Sequence, residues 1–415
     1  MDRLDNAPWL FEASVQRVFA AIEQDGDQAR AVGGAVRNAI LGVPVSDIDI
    51  ATTARPEAVL ERARDAGLKA IGTGIDHGTV TIVSAGAPYE VTTLREDVET
   101  FGRQARVVFG TDWERDARRR DFTMNALYVD RHGDLFDPLG GLEDCRSGRV
   151  RFIGDAEQRI REDYLRILRF FRIHAAYGSG VPDEDALIAC THQRDGLRHL
   201  SAERVGAEMK KLASARGAAQ SVQIMEDCGL LEITTGGISR TRDFAALRSL
   251  DDQAPETSEP PLCFAMLAGF VDEDLTRIGE RFRLSNAEKK RMHQALQAAR
   301  WFQNHWPEAG LEHALHDHGR KAAVDGLLMA WAYERANAQV WESDSGFIEA
   351  LSALRELAVP DFPIAGADLL ALGVKPGPDV GVALNSLRQA WKASGYRLSK
   401  ADLIGVAAGS LRPSL

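Results

Sequence analysis

The sequence predicts an α+β fold: a head built on a mixed β-sheet, followed by a long all-helical extension. Three observations predict it. Strand and helix signals interleave over residues 25–145. Two apolar β-branched runs flank "AGAP" in "GTVTIVSAGAPYEVTTLR", the pattern of a hairpin. From about residue 150 onward the apolar spacing is helical and strand signals nearly vanish.

The elements follow in order. Residues 10–24 read as an amphipathic helix. "ARAVGG" is a short strand running into a Gly turn, and "AVRNAILG" is a short helix closed by Gly42. "VSDIDIAT" alternates as a strand does, and "RPEAVLERARDAG" is a helix with Pro56 in its first turn and Gly67 at its end. The hairpin comes next. At 415 residues the chain is too long for one core, so two to four domains are expected. The Pro/Glu/Ser-rich stretch "DDQAPETSEPP" (251–261) is a candidate boundary. No fixed-period repeat is present.

Composition excludes several classes. No run of 18 apolar residues occurs, and the N-terminal stretch lacks the basic and apolar regions of a signal peptide. Cys145, Cys190, Cys228 and Cys263 are far apart, and they read as reduced thiols of a cytoplasmic protein rather than zinc ligands. The net charge of −11 argues against indiscriminate nucleic-acid binding. Residues 101–211 are nearly neutral and rich in arginine, so a polyanion would bind there first.

Four stretches carry chemistry. On a strand, residues i and i+2 face one side, so Asp47 and Asp49 are expected to project together. Two parallel carboxylates repel unless a cation sits between them, and Mg²⁺ takes a few carboxylates plus substrate phosphates. Alone, the pair also suits a solvated edge strand. Gly33 and Gly34 lie ahead of it and let backbone N–H groups approach a phosphate, with Arg37 one turn into the following helix. G-x-G-x-x-G and G-x-x-x-x-G-K-[ST] are absent, which argues against dinucleotide and P-loop folds. Glu90 would join the two aspartates if its strand neighbours theirs. In "RRRDFTMNALYVD", Arg118, Arg119 and Arg120 suit phosphate oxygens or a charged helix end. In "REDYLRILRFFRIHA", Asp163, Arg166, Arg169 and Arg172 recur every third residue. On one continuous helix they would form a slanting ridge with an internal Asp163–Arg166 pair.

Taken together and in order, these stretches resemble the class II CCA-adding tRNA nucleotidyltransferases of bacteria and eukaryotes. That family shares a polymerase-β-like head with bacterial poly(A) polymerases. "GGAVRN" with "DIDIATTA", "RRRDFTMNAL", "FDPLGGLEDCRSGRVRFIGDAEQRIREDYLRILRFFR" and "LSAERVGAEMKKL" carry the likeness over residues 30–215, and "GADLLALGVKPGPDVGVALNSL" extends it to the tail. The resemblance implies a nucleotidyltransferase head (1–145), a helical neck that reads the base (146–215), and a helical body and tail that bind tRNA (216–415). It implies Mg²⁺ on Asp47 and Asp49, with Glu90 at a third acidic position of the catalytic centre. Gly34, Arg37 and Arg120 would hold the triphosphate. Asp163 and Arg166 would read the base, with Arg169 and Arg172 supporting the nucleotide. The implied partners are the acceptor end of tRNA, CTP and ATP, with no membrane and no protein partner. Three positions depart from the family pattern: Asn38 stands where an Asp is usual, and "TFGRQA" puts Phe101 and Gln104 in place of an acid and a histidine.

The base-reading role has a physical basis. Cytosine and adenine each place an amino group beside a ring-nitrogen acceptor. A carboxylate accepts from the first and a guanidinium donates to the second. Uracil and guanine invert both contacts. Poly(A) polymerase, a partial CC- or A-adding enzyme, a catalytically dead tRNA binder, and a phosphohydrolase built on "HALHDHG" (313–319) are the alternatives.

Overall fold

Alternation in "TVTIVS" buries Val80 and Ile82 and leaves the intervening residues partly exposed, which is the signature of a strand with one covered face. The computed structural model describes residues 3–101, 104–307, 310–338 and 343–410. Among these, nine strands are labelled in chain order: β1 (Ala29–Val32), β2 (Asp49–Thr52), β3 (Lys69–Gly74), β4 (Thr79–Ser84), β5 (Ala87–Thr93), β6 (Arg95–Phe101), β7 (Gln104–Phe109), β8 (Tyr128–Val129) and β9 (Leu135–Phe136). Seven form one sheet in the order β3-β4-β5-β2-β1-β8-β9, and β6 and β7 form a separate ribbon. The sheet is mixed, because β2 runs parallel to β5 while its other neighbour, β1, is antiparallel. The β4–β5 hairpin turns through Ala85 and Gly86, both at positive φ (51° and 85°), the geometry that matches a two-residue hairpin to strand twist.

The chain divides into two compact units, Met1–Gly237 and Ile238–Leu415. Among its described residues the first holds the sheet and eleven α-helices: α1 (Ala13–Ile22), α2 (Gly34–Ile40), α3 (Pro56–Asp65), α4 (Trp113–Arg118), α5 (Gly141–Ser147), α6 (Ala156–Glu162), α7 (Leu165–Tyr177), α8 (Glu184–His192), α9 (Ala202–Ala213), α10 (Ala218–Asp227) and α11 (Leu230–Thr235). Val32, Ala51, Ala126 and Tyr128 pack with Leu94 and Ile153 in the core of the head. A chain of aromatic rings, Phe122–Phe152–Phe170–Phe171, carries that packing into α7, with centroids 4.9, 5.8 and 5.2 Å apart. The ring contacts of Phe122 and Phe152 therefore reach α7.

Two local expectations change. The "DID" strand starts later than its alternation predicts: β2 begins at Asp49, and Asp47 stands in the irregular approach. The ridge is not one helix either. α6 ends at Glu162, Asp163 adopts an extended backbone (φ −156°, ψ 104°), and α7 starts at Leu165. The strands β3, β6, β7, β8 and β9 carried no sequence signal strong enough to single out. Phe101 and Gln104 pair across the turn end of the ribbon, and their side chains lie outside the described residues.

The second unit is helical throughout its described residues: α12 (Thr241–Arg248), α13 (Pro260–Ala268), α14 (Asp272–Arg281), α15 (Asn286–His305), α16 (Leu311–His318), α17 (Arg320–Asn337), α18 (Ser345–Glu356), α19 (Gly366–Ala371), α20 (Pro378–Ala393) and α21 (Lys400–Ser410). α15 opens with a capping box, in which Ser285 and Glu288 satisfy each other's backbone N–H. α17 crosses it at Gly326, where a Cβ would come within 2.7 Å of the Ala298 backbone. A smaller core around Trp391, Leu387 and Leu403 gathers α19, α20 and α21. No described helix is long and apolar enough to cross a membrane.

Candidate active site

The site starts where β1 ends. Gly33 carries φ +75°, a conformation that L side chains rarely adopt, and caps α2. A Cβ on Gly33 would meet Arg120 Nη1 at 3.8 Å, and one on Gly34 would meet Arg37 Nη2 at 3.7 Å. The glycine turn therefore lies against two of the arginines assigned to phosphate. Arg37 is buried. Its Nη1 donates to Asn125 Oδ1 (2.6 Å), its Nη2 donates to Asn38 Oδ1 (2.8 Å), and its guanidinium lies 3.7 Å from the Tyr177 ring centre. Burial holds this guanidinium below its usual range, partly offset by Tyr177. Asn38, the departure from the family pattern, donates from its amide to Pro44 O (2.9 Å), a bond no aspartate carboxylate could donate.

β2 opens on Asp49. Asp49 pairs in register with Glu90 of β5 on the parallel side, so both side chains rise from one face. The condition on Glu90 is thus met. The Asp49 carboxyl is reachable by solvent, yet it is held above the ordinary carboxylate range. Desolvation is the largest cause, the charge of Glu90 adds to it, Arg120 opposes it, and Asp47 adds a smaller push. Asp47 accepts from Ser46 Oγ at 2.9 Å.

Of the three consecutive arginines, only Arg120 reaches the site. Its Nη2 donates to Asp116 (3.1 Å), and its Nε donates to Tyr128 Oη (3.1 Å), which itself donates to Asp116 (2.8 Å). Burial alone would depress the Arg120 guanidinium, and the charge of Asp116 together with the hydrogen bonds to Tyr128 and Asp116 outweighs it and holds it above its usual range. Arg118 is exposed and pairs with Glu114, while Arg119 pairs with Asp116.

The residues of α6, α7 and the break between them arrive by a different route from the one their spacing predicts. Asp163 and Arg166 make no i,i+3 ion pair. Asp163 accepts from Arg204 Nη2 on α9 at 2.6 Å and from the backbone N–H of Leu165 at 3.2 Å. Arg166 donates to Glu162 (2.5 Å) and to the Arg159 carbonyl (2.6 Å). Arg169 donates from Nε to Asp121 at 2.8 Å, and Arg172 pairs with Glu208 of α9 at 2.6 Å. Burial would raise Asp121, but the charge of Arg169 and the bonds from Asn125 and the Phe122 N–H hold it below the ordinary range.

These groups share one cavity of about 480 Å³. Gly33, Gly34, Arg37, Asp49, Arg120, Asp163, Arg166, Arg169 and Arg172 all line it, together with Asp121, Asn125 and Arg204. Asp47 and Glu90 are not among its walls and stand beside Asp49 instead. The last three wall residues escaped sequence reasoning. Asp121 and Asn125 sit four apart in the motif whose arginines drew attention, and Arg204 lies in the motif read only as a helix. Six arginines face three aspartates across the cavity, a cationic well in an acidic chain.

The acids offer no all-protein cage. Among the described residues no group of three or more His, Cys, Asp or Glu is gathered tightly enough to hold a metal alone. A carboxylate pair crowded by a third acid suits a cation that leaves most of its coordination to phosphates and water. The residues of "HALHDHG" belong to no such group either. Asp317 pairs with Lys392 of α20, and His316 contacts the Pro360 carbonyl at 3.2 Å in the stretch between α18 and α19, so both are used in packing α16.

Residues 29–151 match the family model of the Poly A polymerase head domain, and residues 182–235 match that of a probable RNA- and SrmB-binding site of polymerase A. The mitochondrial CCA tRNA nucleotidyltransferase 1 of Mus musculus is 31% identical over 405 residues, covering 95% of this chain and 90% of that one. A CCA-adding enzyme of Lactobacillus helveticus is 29% identical over 398 residues, 94% of each chain. The crystal structure of the Bacillus stearothermophilus CCA-adding enzyme in complex with CTP superposes with a TM-score of 0.74 at 28% identity, over 96% of this chain and 98% of that one. Head model, near full-length relatives and shared fold agree, and the chain belongs to the family of CCA-adding tRNA nucleotidyltransferases.

Proposed function

We propose that the chain adds C, C and A to the 3′ end of tRNA from CTP and ATP, without a nucleic-acid template, and releases pyrophosphate. The observation that carries this reading is the single cavity. It sets a carboxylate–guanidinium pair for a base, a glycine turn and arginines for a triphosphate, and Asp49 within one space of about 480 Å³. The transferred bond joins the tRNA 3′-oxygen to the α-phosphorus, and the α–β phosphoanhydride breaks. Glu90, beside Asp49, takes the hydroxyl proton. Arg37, Arg120 and the N–H groups of the Gly33–Gly34 turn hold the departing phosphates.

Divalent-metal chemistry is the rule for this family, and Mg²⁺ is the ion we assign. Asp47 and Asp49 would hold it, and when bound it neutralises phosphate charge and favours in-line attack. Asp163 and Arg166 select cytosine and adenine, with Arg169 and Arg172 supporting the nucleotide. Residues 1–145 serve as catalytic head, 146–215 as base-reading neck, and 216–415 as tRNA-binding body and tail. That the four cysteines form no disulfide supports a reducing compartment, the cytoplasm.

The test is incorporation into tRNA lacking its 3′ CCA, with each nucleoside triphosphate alone and in the pair CTP and ATP. Three added residues, C-C-A, are expected from the pair. Addition of UMP or GMP at a comparable rate would overturn the reading. A product stopping at C-C would narrow the activity to partial addition and point to Phe101 and Gln104. Long A tracts would assign a poly(A) polymerase instead.

A further inference from the structure

We propose that Arg204 is a specificity-determining positioning residue that keeps Asp163 aimed at the base and away from Arg166. The inference rests on the base-reading role proposed for Asp163 and Arg166. Their spacing in the sequence invites them to neutralise each other, and two groups spent on each other are not free to read a substrate. The structure separates them. Asp163 sits on an extended residue between α6 and α7, with no helical backbone of its own to fix its direction. Arg204 Nη2, 2.6 Å from Asp163 Oδ2, fixes it from a helix 41 residues on. Arg166 is drawn the other way by Glu162 and the Arg159 carbonyl.

The hydrogen-bond inventory fits this role. An ionised carboxylate has about four acceptor positions. Arg204 and the Leu165 N–H use one on each oxygen, which leaves room for an amino group. Arg204 lines the same cavity and is itself one-quarter exposed. Its helix α9 packs against α7, and one turn further along the same face Glu208 pairs with Arg172. α9 therefore braces the row at both ends, and Arg204 braces the end that reads.

The experiment compares Arg204→Ala, Arg204→Lys, Asp163→Ala and the Asp163/Arg204 double alanine in the full chain. It reads kcat and KM for all four nucleoside triphosphates, with thermal melts as a check on folding. In Arg204→Ala the preference for CTP over UTP is expected to fall roughly 10- to 100-fold, the scale on which a misaligned group loses effect. The loss should lie mainly in the KM for CTP and ATP, and Arg204→Lys should recover most of it. The double variant should match Asp163→Ala, since both changes remove one function. If Arg204→Ala does not fold, Arg204→Gln against Arg204→Lys makes the same comparison. An unchanged preference in Arg204→Ala or Arg204→Gln, while Asp163→Ala relaxes it, overturns the role of Arg204 and leaves base reading intact. An unchanged preference in Asp163→Ala overturns base reading, and the role of Arg204 with it.

Discussion

Arg169 of α7 donates to Asp121 across 48 residues of sequence, with Nε 2.8 Å from Oδ2. On the other side Asp121 accepts from Asn125, which accepts from Arg37. One chain of bonds thus runs from the guanidinium assigned to phosphate to the helix assigned to the base. Such networks respond as units when a member is removed.

Asp121→Asn tests that chain through pH. The folded Asp121 carboxyl is held below its ordinary value, so it remains charged where the unfolded chain already takes up protons. Its contribution to stability is complete above the unfolded pKa, about 3.9, and is lost as pH falls toward the folded one. The variant should be less stable at pH 7 by about 1–3 kcal/mol, because a partly buried Arg169 loses its partner. Urea midpoints should stay apart from pH 7 down to about 4 and converge with those of the wild type only as pH falls below about 3.9. A gap that widens on acidification would show that Asp121 does not carry the effect.

Asp47→Ala and Asp49→Ala should each leave the fold intact, because both side chains are exposed. Melting temperatures should move little, since surface changes of this kind stay within roughly 0.5 kcal/mol. Transfer should fall below about 1% of wild type, equivalent to some 2.7 kcal/mol of lost transition-state stabilisation. Rapid-quench incorporation of CMP is the measurement, and more than a few per cent residual transfer would remove the residue from the centre.

Gly196→Ala probes the break between α6 and α7. A Cβ there would lie 1.9 Å from the Tyr164 ring, and Tyr164 is the residue between Asp163 and α7. The ring must move, at a cost of about 1–3 kcal/mol for overpacking. Because the displaced residue adjoins Asp163, CTP and ATP use should weaken together with stability. A stable variant with normal kinetics would show that the break tolerates movement.

Salt should weaken nucleotide binding. Six arginines and three aspartates face the cavity, so the triphosphate is attracted although the chain carries −11. The Kd for CTP, measured by calorimetry in the absence of tRNA, should rise several-fold between about 50 and 300 mM salt as screening tightens. Insensitivity to salt would indicate that hydrogen bonds alone hold the phosphates.

The sequence showed the polar plan of the site better than its geometry. Short-range patterns exposed β1, β4, β5, α2 and α3, because alternation and capping are local. The late start of β2 was hidden, since nothing in "SDID" distinguishes a strand residue from its approach. The helix break at Asp163 was hidden too: "REDYLRIL" holds no Gly or Pro to mark a stop, and the chain breaks where Tyr164 packs on Gly196, more than 30 residues away. Arg204 and Asp121 were out of reach for the same reason, because partners 41 and 48 residues off leave no periodic trace. Glu90 was legible as a conditional, and the parallel pairing of β2 with β5 supplied the condition.

The pairing pattern around the cavity also constrains how the protein can change over generations. Five of its arginines have carboxylates at hand: Arg120 with Asp116, Arg166 with Glu162, Arg169 with Asp121, Arg172 with Glu208, and Arg204 with Asp163. Replacing one member strands the charge of the other in a partly closed space, which costs more than losing a single contact. A lineage drifting by single substitutions meets a barrier at every one of these positions, although each could be crossed by exchanging both members at once. Altered nucleotide choice is therefore best sought in libraries that vary these residues two at a time, each arginine together with its carboxylate partner.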